Sequence, residues 1–281
     1  MEGAKIQSQR PRVRAFVRRF ATQSQAAHVD TDCGEYVIKA MNNRDGPPVL
    51  IAEWVGSMAA RWLGVDIPDF AVAELTDVVD VPLDEDGRNM AEPGPCFGSR
   101  LIEAAGWNGD AGVLEAVENT AMIPAIVALD TWLINLDRFC RNADGISRFN
   151  NPGNLLLATK DAEKGRFRLV AIDFGHALGG PSWTAKKLSH IGTIKDDTIY
   201  GYFPTFQTYM QRSFVEAVTS RLRAFDKDVA SGFLADIPRE WGLASSAAEA
   251  ICEFLNRRAV HIAEKFDDMI HEDDRLWRAG D

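Results

Sequence analysis

One lysine and three carboxylates, Lys39, Glu53, Asp137 and Asp173, stand in an order that phosphoryl transfer from a nucleotide would use. That reaction needs a cation on the α- and β-phosphates, Mg²⁺ held by carboxylate and amide oxygens, and a carboxylate beside the attacking hydroxyl. Lys39 lies inside the apolar run Tyr36-Val37-Ile38-Lys39-Ala40, and Glu53 falls on the helical pattern that follows, where it could pair with the ammonium and aim it at a phosphate. Taken alone, an edge-strand lysine and a solvated helix glutamate would explain that pair equally well. The second element is Asn135-Leu136-Asp137-Arg138-Phe139-Cys140-Arg141-Asn142, where Asn142 stands five residues after Asp137. This is the offset at which a phosphotransfer loop sets a proton-accepting Asp and a metal-binding Asn. The third is Ile172-Asp173-Phe174-Gly175-His176, at the end of an apolar strand, where the Asp173 carboxylate can meet a metal. Asp-Phe-Gly alone is a weak signal, but preceded by Asp-x-x-x-x-Asn and two strands it becomes specific. Two asparagines compete for the metal. Asn142 has the offset and ranks first; Asn154 directly precedes a strand and ranks close behind, with residues 143–153 reading as an insertion between features normally adjacent. His176 supports the loop, since Asp137 already fills the base role.

Each of these groups needs an element to hold it. Arg12 to Phe20 alternates basic and apolar residues, as a half-exposed strand does. The small polar run Thr22 to Ala27 then reads as a turn leading to the strand Tyr36–Ala40, so the two strands form a hairpin. Ser24 and Gln25 in that turn stand where a phosphate-covering loop would lie, but the turn has no glycine, which restricts close backbone approach. From Val49, apolar residues recur at Ile51, Trp54, Val55, Met58 and Trp62, the pattern of an amphipathic helix, and Gly64 ends it. Phe70–Leu75 reads as a strand. Beyond Pro93-Gly94-Pro95 the chain becomes helical, over about 114–136, 209–225 and 246–266, interrupted by strands at 154–158 and 167–172. Trp54, Trp62 and Trp132 are core residues. The expected fold class is α+β and bilobal: a small strand-rich N-lobe with one main helix over residues 1–92, then a larger helical C-lobe over 93–281 that carries the catalytic and metal-binding loops.

The 281 residues, 46% hydrophobic and 26% charged, suit a soluble globular chain with one large domain or two lobes, and exclude collagen-like, coiled-coil and disordered classes. The net charge of −10 disfavours direct nucleic acid binding and approach to anionic membranes. The charge is uneven: residues 1–20 carry Lys5, Arg10, Arg12, Arg14, Arg18 and Arg19 against Glu2, whereas Asp267, Asp268, Glu272, Asp273 and Asp274 make the far end acidic. Some of these arginines are placed to meet phosphates or an acidic partner. Cys33, Cys96, Cys140 and Cys252 lie far apart, which indicates neither a metal cage nor a disulfide framework. No apolar run approaches the ~20 residues of a membrane span, so no membrane insertion and a cytoplasmic location are expected.

The residues in order resemble a known family. Gly34 to Lys39, Ile51-Ala52-Glu53-Trp54, Ala60 to Pro68, Phe97-Gly98-Ser99, Asp130-Thr131-Trp132, Asn135 to Arg138 and Ile172 to Gly175 look like the HipA-like kinase domain proteins, over most of residues 30–180. The resemblance implies a protein-kinase-like fold with ATP and Mg²⁺ between the lobes, and transfer of the γ-phosphoryl group to a Ser or Thr of a protein substrate. It makes Lys39 the phosphate contact, Asp137 the catalytic base with Arg138 beside it, Asn142 (or Asn154) and Asp173 the Mg²⁺ ligands, and Phe97, Gly98 and Ser99 neighbours of the hinge. Some members serve as toxins beside an antitoxin, so an antitoxin or regulatory partner chain is implied, and some autophosphorylate in the phosphate-covering loop, which makes Ser24 a candidate. Asp137-Arg138 with Ile172 to Gly179 is also similar to the motifs of phosphatidylinositol 3- and 4-kinases, which leaves a lipid or small-molecule acceptor as the alternative. A catalytically inactive ATP-binding module is the alternative of another class. The stretch Gly179 to Pro204, with Ser182, Thr184, Ser189 and Thr193, corresponds to an activation or substrate loop.

Overall fold

In the computed structural model, which describes residues 10–20, 24–141 and 147–279, the N-terminal part is a five-stranded antiparallel sheet in the order β1-β2-β3-β5-β4. Its strands are β1 (Val13–Arg19), β2 (Ala27–Thr31), β3 (Gly34–Lys39), β4 (Phe70–Leu75) and β5 (Gly94–Arg100), with helix α1 (Pro47–Leu63) between β3 and β4. The sheet curls until its edges meet: Glu74 N donates to Pro11 O at 2.7 Å. Alternation gives the sheet two faces. Val29, Tyr36, Ile38, Ala73 and Cys96 fill a small core on one face, while Val72 and Phe97 face the other and join α1 in the main core.

Two expectations change here. The first hairpin is a three-stranded meander, because Ala27-His28-Val29-Asp30-Thr31, read as the end of a turn and loop, pairs with both β1 and β3. The stretch after residue 93, read as the start of a helical part, first adds a strand to this sheet, since β5 pairs with β3 and with β4. Pro95 is tolerated in this central strand because pairing with β3 begins only at Phe97, opposite Lys39, so no ladder bond needs the missing N–H. The chain leaves the sheet after Arg100.

Residues 101–103 cross to a second sheet, β10-β9-β6, made of β6 (Ala104–Gly106), β9 (Leu155–Ala158) and β10 (Arg168–Ala171). A short helix α2 (Ala111–Leu114) precedes α3 (Ile123–Leu133), whose eleven residues are all buried. The expected helix over 114–136 is thus shorter, because Pro124 fixes its first turn and Ile134 ends it in a left-handed conformation at φ 52°. The stretch read as an insertion contributes β8 (Ser147–Asn150), which pairs with β7 (Phe139–Arg141) just before it. Helices α4 (Ala185–Ser189), α5 (Ile191–Ile194), α6 (Arg212–Arg223), α7 (Lys227–Leu234) and α8 (Ser245–Ala279) complete the C-terminal part. Among the described residues no helix is long and apolar enough to cross a membrane. The main core runs without a break from α1 through α3 and α6 to α8. Trp54, Trp62 and Trp132 all meet it, and Trp132 and Phe225 lie with ring centroids 4.7 Å apart.

Candidate active site

Lys39, Glu53 and Asp173 converge on the cleft between the two sheets, whereas Asp137 and Asn154 are not part of its lining. Strand β3 delivers Lys39, and α1 delivers Glu53 two turns from its start, where a run of Pro47 and Pro48 fixes the entry and Gly64 at φ 83° closes the far end. Glu53 Oε1 accepts from Lys39 Nζ, and its Oε2 accepts from the backbone N–H of Phe174 at 2.9 Å. Lys39 Nζ also donates to Asp173 Oδ1 at 2.9 Å. One ammonium therefore ties together strand, helix and the segment after β10. Burial acts against the Lys39 charge, but Asp173 and Glu53 outweigh it and hold the ammonium above the usual lysine range. Burial raises Glu53 to about 7 against the pull of Lys39. Asp173, despite its burial, is held well below the usual carboxylate range, chiefly by Lys39.

Asp173 itself adopts φ 60°, a left-handed conformation that Asp tolerates better than most residues. The turn it makes packs Phe174 against α1 at Gly56, where a Cβ would stand 2.7 Å from Phe174 Cγ and closer still to its Cβ. Glycine is required there for approach rather than for φ.

The loop after α3 carries Asp137. Its Oδ2 accepts from Asn154 Nδ2 at 2.9 Å and from Asn151 Nδ2 at 3.4 Å, leaving Oδ1 without a partner among the described residues. Asn154 has its amide nitrogen engaged by Asp137, so the remaining polar atom of its side chain is Oδ1, an oxygen donor. Its backbone oxygen accepts from Ile172 N at 3.0 Å, which sets Asn154 directly across from the residue before Asp173. Asp173 likewise has Oδ1 engaged by Lys39, and its Oδ2 accepts from no donor among the described residues. Two hard oxygen donors flanking neighbouring strands, Asn154 just before β9 and Asp173 just after β10, fit Mg²⁺, which takes one or two protein carboxylates and completes its shell with water and substrate phosphates. Among the described residues no group of three or more His, Cys, Asp and Glu is placed to hold a metal ion. Asn142 lies outside the described residues.

Arg138 does not open onto the cleft. It is fully buried, with Nε on Asp130 Oδ2 at 2.6 Å, NH1 on Asn154 O, NH2 on Ile172 O at 3.4 Å, and its guanidinium 5.6 Å from the Phe174 ring centre. Asp130, equally buried, also accepts from Asn135 Nδ2 at 2.8 Å. Burial raises the Asp130 carboxyl, with Arg138 pulling the other way. Leu136 N to His176 O at 3.4 Å and Leu178 N to Leu133 O at 2.8 Å add backbone ties between the two loops. Asp130, Asn135 and Asn151 carried no role in the sequence reading. A single Asp within an apolar helix was the available signal, since a carboxylate buried there must be paired.

The cleft has a volume of about 420 Å³, with Val37 and Phe97 on one wall, Leu156 and Ile172 on the other, and Lys39, Glu53 and Asp173 among its polar groups. That size and mixture suit a nucleotide-sized ligand. Val37 pairs with Ser99 and Lys39 with Phe97, so the connection Leu101–Glu103, which also lines the cleft, lies at the end away from Lys39. Of the residues expected here, Phe97 does line it, whereas Gly98 faces the opposite side of β5, where a Cβ would meet Ala73 and Tyr36. Ser24 and Gln25 are outside the cleft wall, and Gln25 Oε1 accepts from Arg44 N at 2.7 Å.

A family model described as HipA-like kinase matches residues 25–278. Among solved structures, the chain is similar to the crystal structure of a Helicobacter pylori proinflammatory kinase, CtkA, with a TM-score of 0.57 and 13% identity, covering 90% of this chain and 93% of that one. That likeness is one of fold. Comparison with curated protein sequences gives no match.

Proposed function

This chain belongs to the HipA-like kinase family, and from that premise we propose that it transfers the γ-phosphoryl group of ATP, with Mg²⁺, to a Ser or Thr hydroxyl of a protein. The observation that carries the reading is the clamp on Lys39, whose ammonium is held by Glu53 and Asp173 at the wall of a nucleotide-sized cleft. In this reading Lys39 meets the phosphates, and Asp173 Oδ2 with Asn154 Oδ1 holds Mg²⁺, which when bound neutralises charge on the phosphates. Asp137 accepts the hydroxyl proton at Oδ1, while Asn154 and Asn151 fix its other oxygen and so its rotamer. Arg138 positions this base without touching substrate. It holds Asp130 on one side and the Asn154 and Ile172 carbonyls on the other, so the base and the metal ligands keep one spacing.

The test is incubation of the purified chain with ATP and Mg²⁺, alone and with cell lysate, followed by mass spectrometry for phosphoserine and phosphothreonine. The reading expects transfer that falls roughly 10²-fold or more in Asp137→Ala, and that is abolished together with its Mg²⁺ dependence in Asp173→Asn. Nucleotide binding with no transfer to any protein would overturn it, and label appearing in phosphoinositide vesicles alone would move the acceptor to a lipid.

A further inference from the structure

We propose that Arg18, stacked on Phe20, binds the nucleotide's phosphates in place of the backbone amides that a glycine-rich covering loop would supply; this deepens the kinase reading and rests on it. The sequence between β1 and β2, residues 20–26, contains no glycine, which restricts close approach of backbone N–H groups to an anion. The cation at the phosphate position is also largely answered, because Lys39 carries two carboxylate partners, Glu53 and Asp173. Lys39 with its two carboxylates therefore offers no net positive charge there, and beside the Mg²⁺ of the kinase reading a triphosphate gains from a further cation.

The register supplies one. Arg18 pairs with His28, His28 with Val37, and Val37 with Ser99, and directly opposed residues share a face. The row Arg18-His28-Val37-Ser99 is therefore directed to the cleft side, one two-residue step from the row that carries Lys39. Arg18 and Phe20 both line the cleft. The guanidinium carbon sits 5.0 Å from the Phe20 ring centre, which orients a planar fork at low entropic cost. The adjacent arginine on the strand, Arg19, is engaged with Glu85 at 3.0 Å. Among the described residues Arg18 has no carboxylate partner and is exposed. Arg100 also lines the cleft but stands at the connection end, opposite Tyr36, away from Lys39. A fork of N–H donors that stays charged at all working pH values matches phosphate oxygens bidentately.

Calorimetric titration of the full chain and its variants with ATP, ADP and adenosine, at one Mg²⁺ concentration, tests this. Arg18→Ala is expected to weaken ATP roughly tenfold or more and leave adenosine unchanged. Arg18→Lys, which keeps the charge and loses the fork, is expected to lose less. Unchanged melting of both variants checks the fold, as the side chain is exposed. ATP binding by Arg18→Ala equal to that of the unaltered chain would overturn the inference, as would an equal loss for adenosine, which would make the arginine a base contact. Failure of the unaltered chain to bind ATP would remove the parent reading and this one together, an outcome distinct from a loss confined to the variant.

Discussion

At the scale of single residues, the site depends on side chains that never meet a ligand. Arg138 illustrates this: its guanidinium is enclosed, and it joins Asp130 on α3 to the carbonyls of Asn154, just before β9, and Ile172, just before Asp173. Arg138→Met leaves the Asp130 carboxylate buried and unpaired, so a loss of about 3–5 kcal/mol is expected in a denaturant titration. The double variant with Asp130→Leu, which removes the orphaned charge, should recover part of it; no recovery would show that the pair does not couple. Gly56→Ala tests the neighbouring packing. Its methyl would overlap the Phe174 ring, and overpacking of this kind costs about 1–3 kcal/mol, read as a lower melting temperature. In the sequence Asp137 and Asp173 were visible because their spacing is local and typed. Arg138 was visible only as a neighbour of Asp137, since its work depends on Asp130, eight positions back and on a helix whose register no local pattern reveals.

At the scale of elements, helix α1 was the most legible, with apolar spacing, two prolines at its start and a left-handed glycine at its end all agreeing. Strands β2 and β5 were obscured for different reasons. In β2 the polar His28 and Asp30 alternate correctly, but they follow a small polar run with no break between them. In β5 two glycines and a proline read as a hinge, and only tertiary pairing, with Pro95 outside the β3 ladder, makes them compatible with a central strand. The bond from Trp183 Nε1 to Pro48 O, 3.0 Å, joins the segment after Asp173 to the first turn of α1. It was not foreseeable, because 135 residues separate its ends. Trp183→Phe keeps the ring and removes the donor, so a loss of about 1 kcal/mol is expected by chemical denaturation. If α1 is aligned through this bond, phosphotransfer should fall by more than the stability change explains; transfer at the original rate would show that α1 is placed by its own packing.

For the whole molecule, the two-lobed description needs one amendment: α1 carries an N-lobe residue, Glu53, yet its other face lies in the large core with α3, α6 and α8. Indole bonds reinforce the join. Trp54 Nε1 donates to Phe233 O at 2.8 Å and Trp241 Nε1 to Pro95 O at 2.8 Å, so both α1 and β5 are fastened to the C-terminal helices. A nucleotide in the cleft would touch β3 and β5 on one side and β9 and the Asp173 segment on the other. A ligand that binds only the folded chain at 100 times its dissociation constant adds about 2.7 kcal/mol. For a chain of this size that corresponds to a rise of roughly 5 °C in the melting temperature. Because the core is continuous, the rise should appear as one shifted transition. Two transitions with only the first displaced would mean that the sheet of β1 to β5 melts on its own, and that the shared core does not couple the halves. Chelation of Mg²⁺ should lower the ATP-induced rise in the unaltered chain, and Asp173→Asn should show the lower value with or without the chelator. If the variant keeps the full Mg²⁺-dependent increment, Asp173 is not the residue that holds the metal.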